Sequence, residues 1–213
     1  MRKFLVLFVL LGLIGLATTA HAQEQAPAPA VASFDKDRLL ERLADVKPFQ
    51  SEKGGAGSGY AFFVKKEEFR ESLLFLAPEK VDGVMKDFGM AVAFSFKDNT
   101  QFLILTQWRD NDAAKNFMKV RDEQWRLTDA AYKQYITGIE YKELDIAADT
   151  KALVTRKTIS QTGQRQPVTT FVSARKDYFF ECTLLGMLPD DEVKKLIVRL
   201  WKIIEPFTDR AVR

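Results

Sequence analysis

A chain of 213 residues, 46% of them apolar, is long enough to form one domain with a sizeable core, or two small ones. Its 32 Lys and Arg against 29 Asp and Glu give a net charge of +3, and this near balance gives no electrostatic reason to expect nucleic-acid binding. With one histidine, His21, and one cysteine, Cys182, the chain cannot form an intramolecular disulfide or a zinc site that needs several such ligands.

Residues 1–22 have the pattern of a secretory signal peptide. Two basic residues precede an apolar stretch, Phe4–Leu16, and Ala20-His21-Ala22 is a small-x-small cleavage site. The apolar stretch is shorter than the roughly 20 residues that a membrane-spanning helix needs. We therefore predict cleavage between Ala22 and Gln23, a periplasmic location and no membrane span after cleavage.

Cleavage would also remove His21, so that the mature chain is predicted to lack histidine. Ser-His-Asp and Cys-His catalysis, and zinc bound through histidine, would then be excluded. The sequence accordingly points to no catalytic residue, no metal ligand and no cofactor, and it leaves the ligand-binding residues unknown.

Residues 23–33 are rich in Pro and Ala, which predicts an extended linker. A single globular domain is predicted over residues 34–206, with residues 207–213 as a frayed tail. The domain begins with Phe34–Val46, whose apolar spacing predicts a short amphipathic helix, capped by Asp35.

The run Gly54–Gly59 is glycine-rich but does not have the setting of a phosphate loop. Such a loop follows a strand and opens a helix, whereas this run precedes Tyr60–Val64, which is itself a predicted strand. We interpret the run as a surface loop.

The middle of the chain predicts a hairpin and helices. Met90–Phe96 alternates well and is followed by a polar turn and the strand Gln101–Trp108. A helix capped by Asp110 or Asn111 is predicted to run to about Trp125, and a second helical stretch is predicted around Asp129–Ile136. The alternating, charged segment that follows, Ile139–Ile146, predicts an exposed edge strand.

The last part predicts a three-stranded meander and one helix. The strands are Leu153–Ile159, Val168–Ala174 and Tyr178–Leu185, and the polar segment after the first strand is a predicted break. The helix is Pro189–Glu205, with Pro206 as its expected end. Its predicted buried side is an apolar stripe of Val193, Leu196, Ile197, Leu200 and Ile204.

Alternation along the last strand separates two faces. One face carries an apolar set with Cys182, which we expect to be buried. The other face carries Glu181 and is expected to be at least partly wet.

These elements predict an α+β fold, a mostly antiparallel sheet with helices packed on the apolar side. A hairpin followed by a helix occurs twice, over residues 90–135 and 152–204, so the two units are candidates for a diverged internal repeat.

Charged and aromatic clusters each admit a structural interpretation. The acidic pair Glu67-Glu68 is typical of a solvated face, and Asp190-Asp191 is typical of a helix start. Asp110 and Asp112 also cluster at a predicted helix start, which is a capping pattern. Arg156, Arg165 and Arg175 are candidates for anion binding or exposed strand and turn residues. The 17 phenylalanines are expected to form the core or to line an apolar cavity, with Trp108 at its border or as a plug.

We therefore expect an exported, non-enzymatic binding or envelope-interaction protein that takes a small apolar ligand or an envelope protein. Two alternatives stay open. One is an assembly factor that docks a protein partner through the edge strand Ile139–Ile146. The other is a hydrolase that works without histidine.

Overall fold

In a computed structural model, which describes residues 34–50, 59–97, 100–148, 150–161 and 163–208, seven strands form one antiparallel sheet. Helices cover it on both sides. The predicted signal peptide and linker lie outside the described residues, as does the glycine-rich run except for Gly59, which begins the first strand.

The strands lie across the sheet in the order β1-β2-β3-β7-β6-β5-β4. Their bounds are β1 (Gly59–Val64), β2 (Phe88–Phe96), β3 (Gln101–Trp108), β4 (Ile136–Ala147), β5 (Thr150–Gln161), β6 (Gln164–Arg175) and β7 (Tyr178–Leu185). The α-helices are α1 (Lys36–Ala44), α2 (Lys66–Glu71), α3 (Pro78–Met85), α4 (Asn111–Ala131) and α5 (Asp190–Thr208), and a 3-10 turn, Lys133–Tyr135, joins α4 to β4. The predicted α+β class with an antiparallel sheet is confirmed.

Each face of the sheet has its own core. Helices α1 and α5 pack on one face, over strand residues such as Val92 and Phe180. Helices α2, α3 and α4 pack on the other, over residues such as Ile104 and Val172. We call these the α1/α5 face and the α4 face. The expectation of helices on a single apolar side was therefore incomplete.

The apolar patterns were reliable guides to burial. The predicted core face of β7 lies on the α1/α5 face, where Cys182 is buried between Phe180 and Leu184. The apolar stripe of α5 packs against that core, and Leu200 is 0% exposed. Asp35 and Asp110 cap α1 and α4 as expected, accepting hydrogen bonds from the backbone N–H groups of Arg38 and Ala113.

The expected wet face of β7 was wrong. Glu181 is only 4% exposed, because α4 covers it and supplies Arg121 as a partner. A carboxylate in an otherwise apolar strand predicts contact with water, whereas here it marks a buried ion pair.

Two helices were predicted where the structure has one. Helix α4 continues without a break from Asn111 to Ala131, and Ile136 already belongs to β4. The prediction failed because the buried side of the helix becomes polar at Gln124, Thr128 and Asp129, so that its apolar periodicity disappears although the helix continues.

Prolines did not end the elements where we expected. Pro167 lies inside β6 and pairs with Thr158, in place of the predicted break. This is tolerated because β7 ends opposite Val168, so Pro167 faces no strand on its other side. Helix α5 likewise runs past Pro206 to Thr208, whose buried hydroxyl donates to the Glu205 carbonyl.

Strand β4 is an edge strand, as its alternating sequence predicted. Its pairing with β5 shifts register between Thr137 and Glu140 and again between Asp145 and Ala147. The first shift includes Gly138 at φ +62°, a conformation that suits glycine.

We predict that Leu200→Ala lowers the free energy of unfolding by about 2–5 kcal/mol, because it leaves a cavity in the α1/α5 core. Urea unfolding followed by circular dichroism measures the change. Val198→Ala on the same helix is the control, since Val198 is 41% exposed and its truncation should change stability by roughly 0.5 kcal/mol or less. Equal effects of the two variants would contradict the packing of α5.

Candidate functional site

The most concentrated buried chemistry lies between α4 and the sheet. The inward stripe of α4 is apolar near its start, at Ala114 and Phe117, and polar further on. We call this polar set and its strand partners the α4 seam. Its members are Arg121, Gln124 and Asp129 of α4, Tyr141 of β4, Lys157 of β5 and Glu181 of β7.

The first half of the α4 seam is a two-pronged ion pair. Arg121 Nε donates to Glu181 Oε2 at 2.5 Å, and Nη2 donates to Oε1 at 2.9 Å. Arg121 Nη1 donates to the Gln124 side-chain oxygen, and Gln124 Nε2 donates to the Ser72 carbonyl at 2.7 Å. The planar guanidinium thus ties α4 to β7 and, through Gln124, to the loop after α2.

The second half of the α4 seam lies one to two turns further along the helix. Lys157 Nζ donates to Asp129 Oδ1 at 2.5 Å, and the Tyr141 hydroxyl donates to Oδ2 at 2.6 Å. Burial, together with the hydrogen bond to Asp129, raises the pKa of Tyr141 well above its usual value. The Arg126 guanidinium lies 4.1 Å from the centre of the Tyr141 ring.

The charged groups of the α4 seam are not accessible to a substrate. A general base must have a free acceptor within reach of a proton, and a nucleophile must be exposed to its target. Arg121, Glu181, Lys157 and Asp129 are all nearly covered and bonded to one another, and Tyr141 keeps its proton. The geometry therefore suits a structural role, which is to fix α4 on the sheet.

The three arginines that were candidates for anion binding lie at separate places in the fold. Arg156 is buried on the α1/α5 face, where it donates to the Leu188 carbonyl at 2.8 Å and to Asp190 at 2.5 Å. Arg175 pairs with Glu205 at 2.9 Å, and Arg165 is exposed at the far end of β6.

Asp190 occupies the place of an anion beside Arg156. Lys142 also donates to it, and the hydrogen bonds from Lys142 and Arg156 lower the pKa of the Asp190 carboxyl. Asp190-Asp191 begins α5, as predicted. Glu67-Glu68, which we expected on a solvated face, lies in the first turn of α2, where Glu67 is exposed.

Trp108 plugs the α4 face. Its ring stacks on Phe117 with centroids 4.2 Å apart, and its indole N–H donates to the Thr106 hydroxyl at 2.8 Å. Phe69, Phe88 and Phe179 add ring contacts around this pair. These aromatic side chains pack on one another at the place where an apolar cavity between sheet and helices had been considered.

A concave site lies between helices, at the outer side of the α1/α5 layer. It is a groove of about 240 Å³ lined by α1 and by the last turns of α5. We call it the α1–α5 groove. Its lining consists of Arg38, Arg42, Lys202, Ile203, Pro206 and Phe207. The lining thus combines three cationic side chains with the apolar Ile203, Pro206 and Phe207, which we call the apolar floor.

Sequence reasoning missed this groove, although α1 and α5 were both predicted. Arg38 and Arg42 are spaced four residues apart, which places them on one side of α1. Nothing in the sequence shows that α1 packs beside the end of α5. Lys202 could therefore not be assigned to the same site as Arg38 and Arg42.

Comparisons with known proteins add little to this geometry. No protein-family model matches the chain, and no curated protein matches it in sequence. The fold is similar to the X-ray structure of an uncharacterised protein from Mycobacterium smegmatis, with a TM-score of 0.39 and 12% identity over 81% of this chain and 97% of the other. Among the described residues, none of the helices is long and apolar enough to cross a membrane.

We predict that Glu181→Leu lowers the free energy of unfolding by roughly 3–5 kcal/mol, because it leaves Arg121 buried without a counter-charge. The double variant Arg121→Met with Glu181→Leu should recover most of that loss, since neither charge is then buried alone.

Urea unfolding of both variants measures the effect. Glu143→Leu is the control, since Glu143 pairs with Lys151 in an exposed position on β4 and β5, and its loss should cost about 0–1 kcal/mol. If the double variant is as unstable as Glu181→Leu, the loss of stability does not come from an unpaired Arg121, and the proposed energetic coupling of the two residues is wrong.

We predict that Cys182 of the folded protein does not react with thiol reagents. Burial, and secondarily the charge of Glu181, raises the pKa of the thiol, and the reactive thiolate is therefore scarce at neutral pH. Mass spectrometry after exposure to iodoacetamide should find one adduct in urea and none in buffer. Rapid labelling of the native chain would show that β7 opens.

Proposed function

We propose that this chain is an exported, non-enzymatic binding protein of the periplasm and that its ligand occupies the α1–α5 groove. The observation that carries the proposal is the groove itself, which Arg38, Arg42 and Lys202 line together with the apolar floor. A concave site with a few polar groups over apolar atoms is the usual form of a small-molecule binding site.

Binding is favoured over catalysis by the residues that are available. Arginine stays protonated and holds anions through hydrogen bonds, and it does not exchange protons near neutral pH. The buried acids and bases of the α4 seam are bonded to one another and lie on the opposite side of the sheet from the groove. The lone thiol, Cys182, is buried.

Export is supported by the sequence. The leader has a basic start, an apolar stretch and a small-x-small site that ends at Ala22. A mature chain that begins at Gln23 would carry its groove into the periplasm, where it would meet envelope components and exported small molecules.

A second candidate function is the docking of an envelope protein through β4. The position of this strand at the edge of the sheet favours it, because edge strands present unpaired backbone groups to a partner. We rank it below small-molecule binding because of the two bulges and the charged residues of β4.

The export step is tested by expressing the full chain in a Gram-negative host and by N-terminal sequencing of the periplasmic extract. We expect the sequence to begin at Gln23. A chain that still begins at Met1, or that is found in the cytosol, would contradict both cleavage and localisation.

The binding step is tested by native mass spectrometry of protein purified from its own host, with an activity panel of hydrolase substrates beside it. A co-purifying small anion supports the proposal. A stoichiometric protein partner that is lost on substitution in β4 would favour the second candidate, and turnover abolished by one carboxylate substitution would overturn the non-enzymatic function.

A further inference from the structure

We propose that the α1–α5 groove binds a single-chain anionic amphiphile, a fatty carboxylate, with its head at the three cations and its chain along the apolar floor. This inference rests on the proposed function and specifies its ligand. It follows from three features of the groove: its charge, its floor and its size.

The groove brings three cationic side chains together in one concavity. Arg38 and Arg42 project from one side of α1, and Lys202 faces them from α5. No side chain of these three forms an ion pair with any residue that the structure describes. Like charges held together raise the energy of the folded chain, and a bound anion relieves that repulsion.

Neighbouring cations on the same layer are bonded differently. Arg199 of α5 donates to the Asp45 carbonyl at 3.1 Å, and Arg175 pairs with Glu205 at 2.9 Å. These contacts fix α5 to α1 and to β6. The three cations of the groove make no such contact within the described chain. The attachment of α5 to α1 and β6 therefore does not depend on their charged groups.

The floor is apolar and belongs to the domain core. Ile203 and Phe207 are half-buried and pack against the α1/α5 core, and Pro206 lies beside them. An anion without an apolar part, such as phosphate, would leave this floor in contact with water. A ligand with an alkyl chain would cover it and gain the free energy of apolar burial.

The size selects a single chain. A volume of about 240 Å³ is slightly below the roughly 300–1,000 Å³ that is typical of small-molecule sites. One alkyl chain fits a groove of this kind, whereas a two-chain lipid does not.

The shape also argues against docking on a bilayer. Ile203 and Phe207 are half-buried against the core, whereas Arg38, Arg42 and Lys202 are exposed, so a membrane surface would meet the cations first. A monomeric amphiphile can place its chain at this depth, and the planar forks of Arg38 and Arg42 can each hold a carboxylate with two parallel hydrogen bonds.

The test is isothermal titration of the mature chain with laurate, kept below its critical micelle concentration. We expect saturable binding of one laurate. The double variant Arg38→Ala with Arg42→Ala should weaken it by about tenfold or more, because charge-assisted hydrogen bonds are lost. Lys195→Ala is the matched control, since it removes one exposed cation from α5 at a distance from the groove and should leave affinity unchanged.

Ligand controls separate the charge from the chain. Dodecyltrimethylammonium should bind far more weakly than laurate, because its head is repelled, and acetate should bind weakly, because it lacks a chain. Phe207→Ala should reduce the difference in affinity between laurate and octanoate. Circular dichroism of each variant verifies that the exposed substitutions leave the fold intact.

Several outcomes would overturn the inference. They are equal affinity for laurate and the cationic amphiphile, no effect of the double variant, or sedimentation with anionic phospholipid vesicles without binding of monomeric laurate. A different small anion co-purifying from the host would refute the fatty carboxylate and leave the proposed function standing. Absence of export together with absence of any ligand would refute the proposed function itself.

Discussion

Burial of both faces of the sheet is the constraint on which the rest of the structure depends. In the middle of the sheet, where helices cover both faces, a strand side chain has little access to water, so a charged one must meet a partner from the helix above it. Glu181 meets Arg121 and Lys157 meets Asp129 on the α4 face, and Arg156 meets Asp190 on the other. An unpaired charge in these places would cost several kcal/mol, which explains why all three pairs have short, direct hydrogen bonds.

The same constraint explains where a ligand can bind. The layers on either side of the sheet are filled by interdigitating side chains, with Trp108 and its aromatic neighbours on one face and the stripe of α5 on the other. Among the described residues, one space of small-molecule size lies between two helices of the same layer, α1 and α5. The α1–α5 groove lies between two such helices, and its three cationic side chains are exposed in the described structure.

Local patterns predicted local structure well, and they failed where a distant element decided the outcome. Alternation over Met90–Phe96 and the stripe of α5 depend only on the chain nearby, and both faces were predicted correctly. The environment of Glu181 depends on α4, which is far away in the sequence. The end of α4 was missed for a related reason, because Thr128 and Asp129 look like surface residues until the sheet is placed against them. Prediction of the α1–α5 groove would have required knowledge that α1 packs beside α5, and the sequence of neither helix shows this.

The ion pair between Arg121 and Glu181 has a consequence for how this sequence can change over time. Replacement of either member leaves the other as a stranded charge inside the domain, whereas replacement of both by apolar residues of similar size is tolerated far better. Positions 121 and 181 are therefore expected to coevolve, because a change at one position creates strong selection for a change at the other. Among relatives of this chain, the two positions should hold either both charges or neither, while the exposed pair of Glu143 and Lys151 is free to drift.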